Sequence, residues 1–159
     1  MPETSEQQER KNQAHKFFGI ELHNSAFDHL DNAAKDPEEG EKALQAAYGS
    51  AYHWGKVGEP INFSRGELTI AQIAVAINRP ETALHHAKRC LDLTLELNLK
   101  DWDLAYAYET YARANACNGK FDEARKYKAM AVAAGKEILE EGDRKQFESD
   151  LNGGNWYGI

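Results

Sequence analysis

The sequence predicts an all-α protein of about seven antiparallel helices, paired into three stacked helical hairpins and closed by a C-terminal capping helix. Apolar residues recur at helical spacing along most of the chain, and short clusters of Gly, Pro and Asn interrupt them. In addition, Ala43, Ala83 and Ala124 follow one another at intervals of 40 and 41 residues. Because the interruptions are short, successive helices must be antiparallel neighbours.

The interruptions also define the individual helices. Asp36 followed by Pro37, with Glu39 three residues after Asp36, is a typical helix start, and Gly58 and Gly119 are typical helix ends. The helices predicted in this way cover about residues 4–34, 37–56, 62–77, 80–97, 101–118, 121–141 and 142–151. We therefore expect one domain over residues 1–151, followed by a flexible or docking tail over residues 152–159.

Charge and composition argue against several classes of function. Acidic residues outnumber basic ones by 26 to 19, so the chain lacks the basic surface that a nucleic acid partner requires. No apolar run approaches the roughly 18 residues that a membrane span needs. The polar first residues do not resemble a targeting segment, and Cys90 and Cys117 are too few for a disulfide framework. We expect a cytoplasmic protein with free thiols.

The periodic alanines belong to a longer internal repeat. Pro80-Glu81-Thr82-Ala83 matches Phe121-Asp122-Glu123-Ala124, and the preceding helices align as well. The positions that match the tetratricopeptide pattern are Ile70, Ala71, Pro80, Ala83 and Ala87 in the second unit, and Tyr108, Tyr111, Ala112, Asn115, Gly119, Phe121 and Ala124 in the third. On these residues, roughly 23–138 of the chain resemble tetratricopeptide repeats, although the period is about 41 rather than 34 residues. The resemblance implies a short right-handed solenoid.

A second resemblance begins near Tyr52. The segments that match are His53-Trp54, Arg65-Gly66-Glu67, Ala83 to Leu91 and Asp101 to Glu109. They are similar to a group of small bacterial helical-repeat proteins whose role is uncharacterised. This likeness supports the helical-repeat fold and implies no particular activity.

The tetratricopeptide resemblance also implies a concave groove lined by the first helix of each hairpin. Carried onto this chain, the groove positions are Ser25, Asp28 and Asn32 in the first unit, Arg65, Leu68 and Gln72 in the second, and Tyr106, Glu109 and Arg113 in the third. Polar and aromatic side chains of this kind can hold a peptide backbone and an anchor residue. We add His53, Trp54 and Glu67 as a corner at one end of this groove, although His53 and Trp54 also fit a buried, hydrogen-bonded pair.

We therefore expect a non-enzymatic scaffold that binds a protein or peptide partner and needs no cofactor. No nucleophile elbow or phosphate-binding loop is present, and His86 with Cys90 supplies only two of the three or four ligands that zinc requires. One alternative is a small-molecule or metal-binding protein that uses a cluster of His53, Arg65, Glu67 and Glu109. Another is a structural homodimer.

Overall fold

The computed structural model describes all 159 residues and consists of seven α-helices without strands. The helices are α1 (Ser5–Asn32), α2 (Pro37–Val57), α3 (Pro60–Ala76), α4 (Pro80–Glu96), α5 (Asp101–Cys117), α6 (Phe121–Lys136) and α7 (Glu141–Asn152). The predicted all-α class is confirmed. No helix combines the length and the apolar character that crossing a membrane would require.

The middle three helices end in the same way. α3, α4 and α5 each have 17 residues, and each is followed by a residue with positive φ, namely Asn78 at 56°, Asn98 at 53° and Gly119 at 72°. In each turn the next backbone N–H donates to the carbonyl five residues earlier at 2.8–2.9 Å. This left-handed cap satisfies the last carbonyls of a helix and reverses the chain within a few residues.

Consecutive helices form three antiparallel hairpins, α1–α2, α3–α4 and α5–α6. The hairpins stack in series because α2 also packs on α3 and α4 also packs on α5. As a result α3 lies beside α5, α1 touches α3, and α7 closes the end of the stack against α5 and α6. The structure thus has the predicted order of three hairpins and a C-terminal capping helix.

Small residues bring the helices close together. Ala43, Ala83 and Ala124, on α2, α4 and α6, are all fully buried. Gly135 near the end of α6 is also buried, and a Cβ built on it would collide with the ring of Phe147 on α7. Close packing of this kind lets each hairpin bury the surface that its neighbour leaves uncovered.

The sixth helix is shorter than predicted. It ends at Lys136 rather than near Glu141, and the four residues before α7 form a turn. In this turn Ile138 is buried next to Phe147, and the carbonyl of Ile138 accepts a hydrogen bond of 2.8 Å from Arg144. The Lys and Glu residues of this stretch favour helix, so we attribute its end to tertiary contacts, namely the burial of Ile138 and the 2.9 Å hydrogen bond from Leu139 N to Asp101.

Candidate functional site

A cleft of about 770 Å³ opens on one side of the stack, between α1, α3, α5 and the residues around the C-terminal end of α7. The groove positions predicted on the second and third units all line it: Arg65, Leu68, Gln72, Tyr106, Glu109 and Arg113. The spacing of three and four residues places each trio on one face of its helix. Since α3 and α5 lie side by side, the two faces form one continuous surface.

The first helix contributes different residues from those predicted. Ser25, Asp28 and Asn32 do not line the cleft, whereas His23 and Phe27 do. α1 has 28 residues and packs mainly on α2, and its Gly19 and Ala26 are buried. The contact with α2 determines which face of α1 meets α3. His23 Nδ1 lies 3.4 Å from the hydroxyl of Thr69 on α3, and burial lowers the pKa of His23.

Arg65 is held at one side of the cleft by two partners. Its Nε and Nη2 donate to the two carboxylate oxygens of Asp103, each at 3.0 Å. Its guanidinium also stacks over the ring of Trp102, 4.4 Å from the ring centroid. The ion pair and the stacking fix Arg65 in one orientation while its side chain remains 40% exposed.

Glu109 and Arg113, which both line the cleft, form a buried ion pair. Thr110 also donates a hydrogen bond of 3.1 Å to Glu109. Burial raises the pKa of Glu109, and Arg113 and Thr110 offset this rise only in part. A charge pair this deeply buried needs further hydrogen bonds to its remaining polar atoms.

Arg113 finds these additional bonds in the C-terminal segment of the chain. Its Nη2 donates to the carbonyls of Asp150, Leu151 and Gly153, and its Nη1 donates to the carbonyl of Asn155 at 3.2 Å. The carbonyls at the end of α7 are left without helical partners, so one guanidinium both caps this helix and holds the residues that follow it.

Two aromatic residues, Trp156 and Tyr157, dock the end of the chain on the helices. The ring of Trp156 lies 4.1 Å from the Arg113 guanidinium and 4.1 Å from the ammonium of Lys128, and its Nε1 donates to Leu151 O at 2.9 Å. Tyr157 donates its hydroxyl hydrogen bond to the carbonyl of Val75 on α3. Burial raises the pKa of Tyr157 to about 12. The docked segment therefore forms one wall of the cleft.

Comparisons with protein-family models, curated proteins and solved structures give no match to this chain.

The cleft itself combines three aromatic side chains, Phe27, Trp102 and Tyr106, with polar groups that include the amide of Gln72. No three His, Cys, Asp or Glu side chains of the structure are grouped so that they could hold a metal ion. The cleft can therefore hold apolar anchors and pair with a polar backbone.

The alternative cluster of His53, Arg65, Glu67 and Glu109 does not form, because only Arg65 and Glu109 face the cleft. Arg65 and Glu67 are two residues apart on α3, which places them about 200° apart around the helix. His53 lies instead beside α1, with its Nδ1 2.8 Å from Nδ1 of His15.

Trp54 also lies outside the cleft, contrary to expectation. A Cβ built on Gly19 would lie 2.9 Å from Nε1 of Trp54, so this indole packs on the backbone of α1. Ser50 donates a hydrogen bond of 2.7 Å to the carbonyl of the same glycine. Gly19 and Trp54 thus belong to the α1–α2 contact rather than to the cleft.

Glu67 belongs to a polar network between α2, α3 and α4. Its carboxylate is hydrogen bonded to Nδ1 of His86 and accepts a hydrogen bond of 2.8 Å from Nε of Arg89. The other ring nitrogen of His86, Nε2, lies 2.8 Å from the hydroxyl of Tyr48. Burial acts to raise the pKa of Glu67, but the bonds from His86 and Arg89 hold it below the ordinary value. His86 therefore pairs with Glu67 and not with Cys90.

The sequence analysis missed several residues of the cleft. Trp102 could have been found, because it precedes Tyr106 by four residues and so shares its helical face. Asp150, which accepts a hydrogen bond of 2.5 Å from the hydroxyl of Tyr106, carries no local signal of this kind. Neither do the backbone groups of residues 153–155, since only the fold brings them to α5.

Proposed function

We propose that this chain is a non-enzymatic helical scaffold, with tetratricopeptide-like hairpins, that binds an extended peptide segment of a protein partner in the cleft. The proposal rests on one observation. The face of α5 already holds backbone carbonyls, because Arg113 donates to those of Asp150 and Leu151 at the end of α7 and to those of Gly153 and Asn155 in the non-helical stretch that follows. A surface that holds backbone carbonyls and aromatic side chains in this way has the chemistry of a peptide-binding site.

The open part of the cleft offers the same chemistry without an occupant from the chain. The side-chain amide of Gln72 lies in the cleft between Leu68 and Val75 and forms no hydrogen bond within the protein. An amide offers both donors and an acceptor, which matches the alternating groups of a peptide backbone. Phe27 and Trp102 provide apolar surface for an anchor side chain.

The proposal is tested by selecting peptides from a random library on the full chain and measuring their affinity in solution. We expect Gln72→Ala to weaken a selected peptide about tenfold, since one hydrogen bond is worth about 1–1.5 kcal/mol. Gln45→Ala, an exposed position on α2, is the matched control and should leave the affinity unchanged. Equal affinity for the native chain and Gln72→Ala would argue against this cleft.

A second candidate is a small-molecule site in the same cleft. It is favoured by the volume of about 770 Å³, which falls within the range of typical ligand pockets. Native mass spectrometry of the purified chain should then show a retained adduct of defined mass that Trp102→Ala reduces. Adduct-free spectra from several preparations would argue against the small-molecule site and leave peptide binding as the remaining proposal.

A further inference from the structure

We infer that residues 153–159, here called the tail segment, act as a built-in ligand of the surface that α3, α5 and α6 present at one side of the cleft, and that this surface accepts a partner peptide carrying two adjacent aromatic residues. The inference rests on the proposed function and specifies the chemistry of the partner. It follows from three features of the docked tail segment, namely its anchors, its backbone contacts and its conformation.

The anchors are Trp156 and Tyr157, which occupy two separate subsites. Trp156 is stacked against the guanidinium of Arg113 and the ammonium of Lys128, so its subsite lies between α5 and α6. Tyr157 packs with the buried cluster that includes Val75 and Ala114, so its subsite lies between α3 and α5. Adjacent aromatic residues are therefore what this surface is shaped to bind.

The backbone contacts of the tail segment do not depend on its sequence. The hydrogen bonds that Arg113 makes to this segment go to the carbonyls of Gly153 and Asn155, and any incoming peptide offers the same groups. Without the tail segment Arg113 would keep the carbonyls of Asp150 and Leu151 but lose those of Gly153 and Asn155, so a peptide that replaces the segment must supply carbonyls in their place.

The conformation of the tail segment favours exchange. Tyr157 has a φ of 54°, and a bulky residue in this left-handed region is disfavoured by about 1–2 kcal/mol. Gly154 and Gly158 also have positive φ, at 70° and 98°. Tethering gives the tail segment an effective concentration in the millimolar range, which favours the docked state. A separate peptide need not adopt the same turns, so it can still replace the tail segment.

The test uses the full chain and a fluorescein-labelled synthetic peptide of residues 150–159. We expect a full chain with Trp156→Ala and Tyr157→Ala to bind this peptide at least tenfold more tightly than the native chain does, because its own tail no longer competes. A control peptide with alanine at both aromatic positions should bind neither protein. Equal affinity of the two proteins, or no binding by a folded double variant, would overturn the inference.

A milder variant covers the case in which the double variant does not fold. Tyr157→Phe keeps the ring and removes the hydroxyl with its hydrogen bond to Val75, and it should give an affinity between those of the native chain and the double variant. An affinity no tighter than that of the native chain would contradict exchange. If the tail peptide fails to bind while library peptides still depend on Gln72, this inference fails and the proposed function stands.

Discussion

At the scale of single residues, neighbouring side chains on one helix have separate tasks. Arg65 points into the cleft and pairs with Asp103 on α5, whereas Glu67 pairs with His86 and Arg89 on α4. The sequence analysis placed both side chains in one cluster, but a separation of two residues on a helix makes them diverge. The sequence could not name their partners, since Asp103 is 38 residues from Arg65 and His86 is 19 residues from Glu67.

The Glu67 network should make stability depend on pH. In the folded chain the pKa of Glu67 lies below its ordinary value of 4.5. The stabilisation of the fold by the Glu67 carboxylate is therefore fully present above pH 4.5 and is lost as the pH falls through the folded pKa. We expect Glu67→Gln to lower the free energy of unfolding by about 1–3 kcal/mol at pH 5. The difference in unfolding free energy between Glu67→Gln and the native chain should shrink steadily as the pH falls below 4.5.

Urea unfolding at a series of pH values measures this difference. Glu96→Gln is the matched control, because Glu96 is exposed on α4 and has no partner in the chain. Its stability should follow that of the native chain throughout. A Glu67→Gln difference that stays constant as the pH falls would show that the Glu67 charge contributes nothing to folding.

At the scale of helices, local signals predicted most boundaries. Where Asn, Gly or Pro marks a turn, as at Asn78, Asn98 and Gly119, the ends agree with prediction to within a few residues. The end of α6 has no such marker and coincides with long-range contacts, the burial of Ile138 and the bond from Leu139 N to Asp101. The register of α1 on α3 was also out of reach, because the α1–α2 contact determines it.

The contact between α6 and α7 depends on the absence of one methyl group. Gly135 lies against the ring of Phe147, and α7 in turn places Asp150 at the cleft. We expect Gly135→Ala to destabilise the chain by about 1–3 kcal/mol through overpacking. This is the reverse of the usual effect, since alanine is favoured over glycine inside a helix by about 1 kcal/mol.

Gly55→Ala provides the comparison for this prediction. Gly55 lies within α2, and a Cβ built on it meets no other atom within 4 Å, so this variant should be slightly more stable than the native chain. Chemical denaturation of both variants gives the two free energies. An increase in stability for Gly135→Ala would mean that α7 does not pack on α6 as described.

At the scale of the whole molecule, stacking turns local patterns into a binding surface. The alanine period predicted the order of the hairpins, and the spacing on α3 and α5 predicted which of their residues line the cleft. The wall formed by the tail segment was not predictable in detail, because Arg113 and its carbonyl partners are 37–42 residues apart in the chain. The cleft is therefore partly encoded in the repeat and partly supplied by the residues that follow it.

The three tryptophans of the chain report on separate regions of this molecule. Trp102 lines the open cleft, Trp156 belongs to the docked tail segment and stacks on Arg113, and Trp54 lies in the contact between α1 and α2, against Gly19. Their indole N–H signals in an NMR spectrum of the full chain therefore distinguish binding in the cleft from binding elsewhere. On titration with a selected peptide, we predict a shift of the Trp102 signal while that of Trp54 stays in place. A shift confined to Trp54, or saturated binding without any change at Trp102, would contradict a peptide site in this cleft.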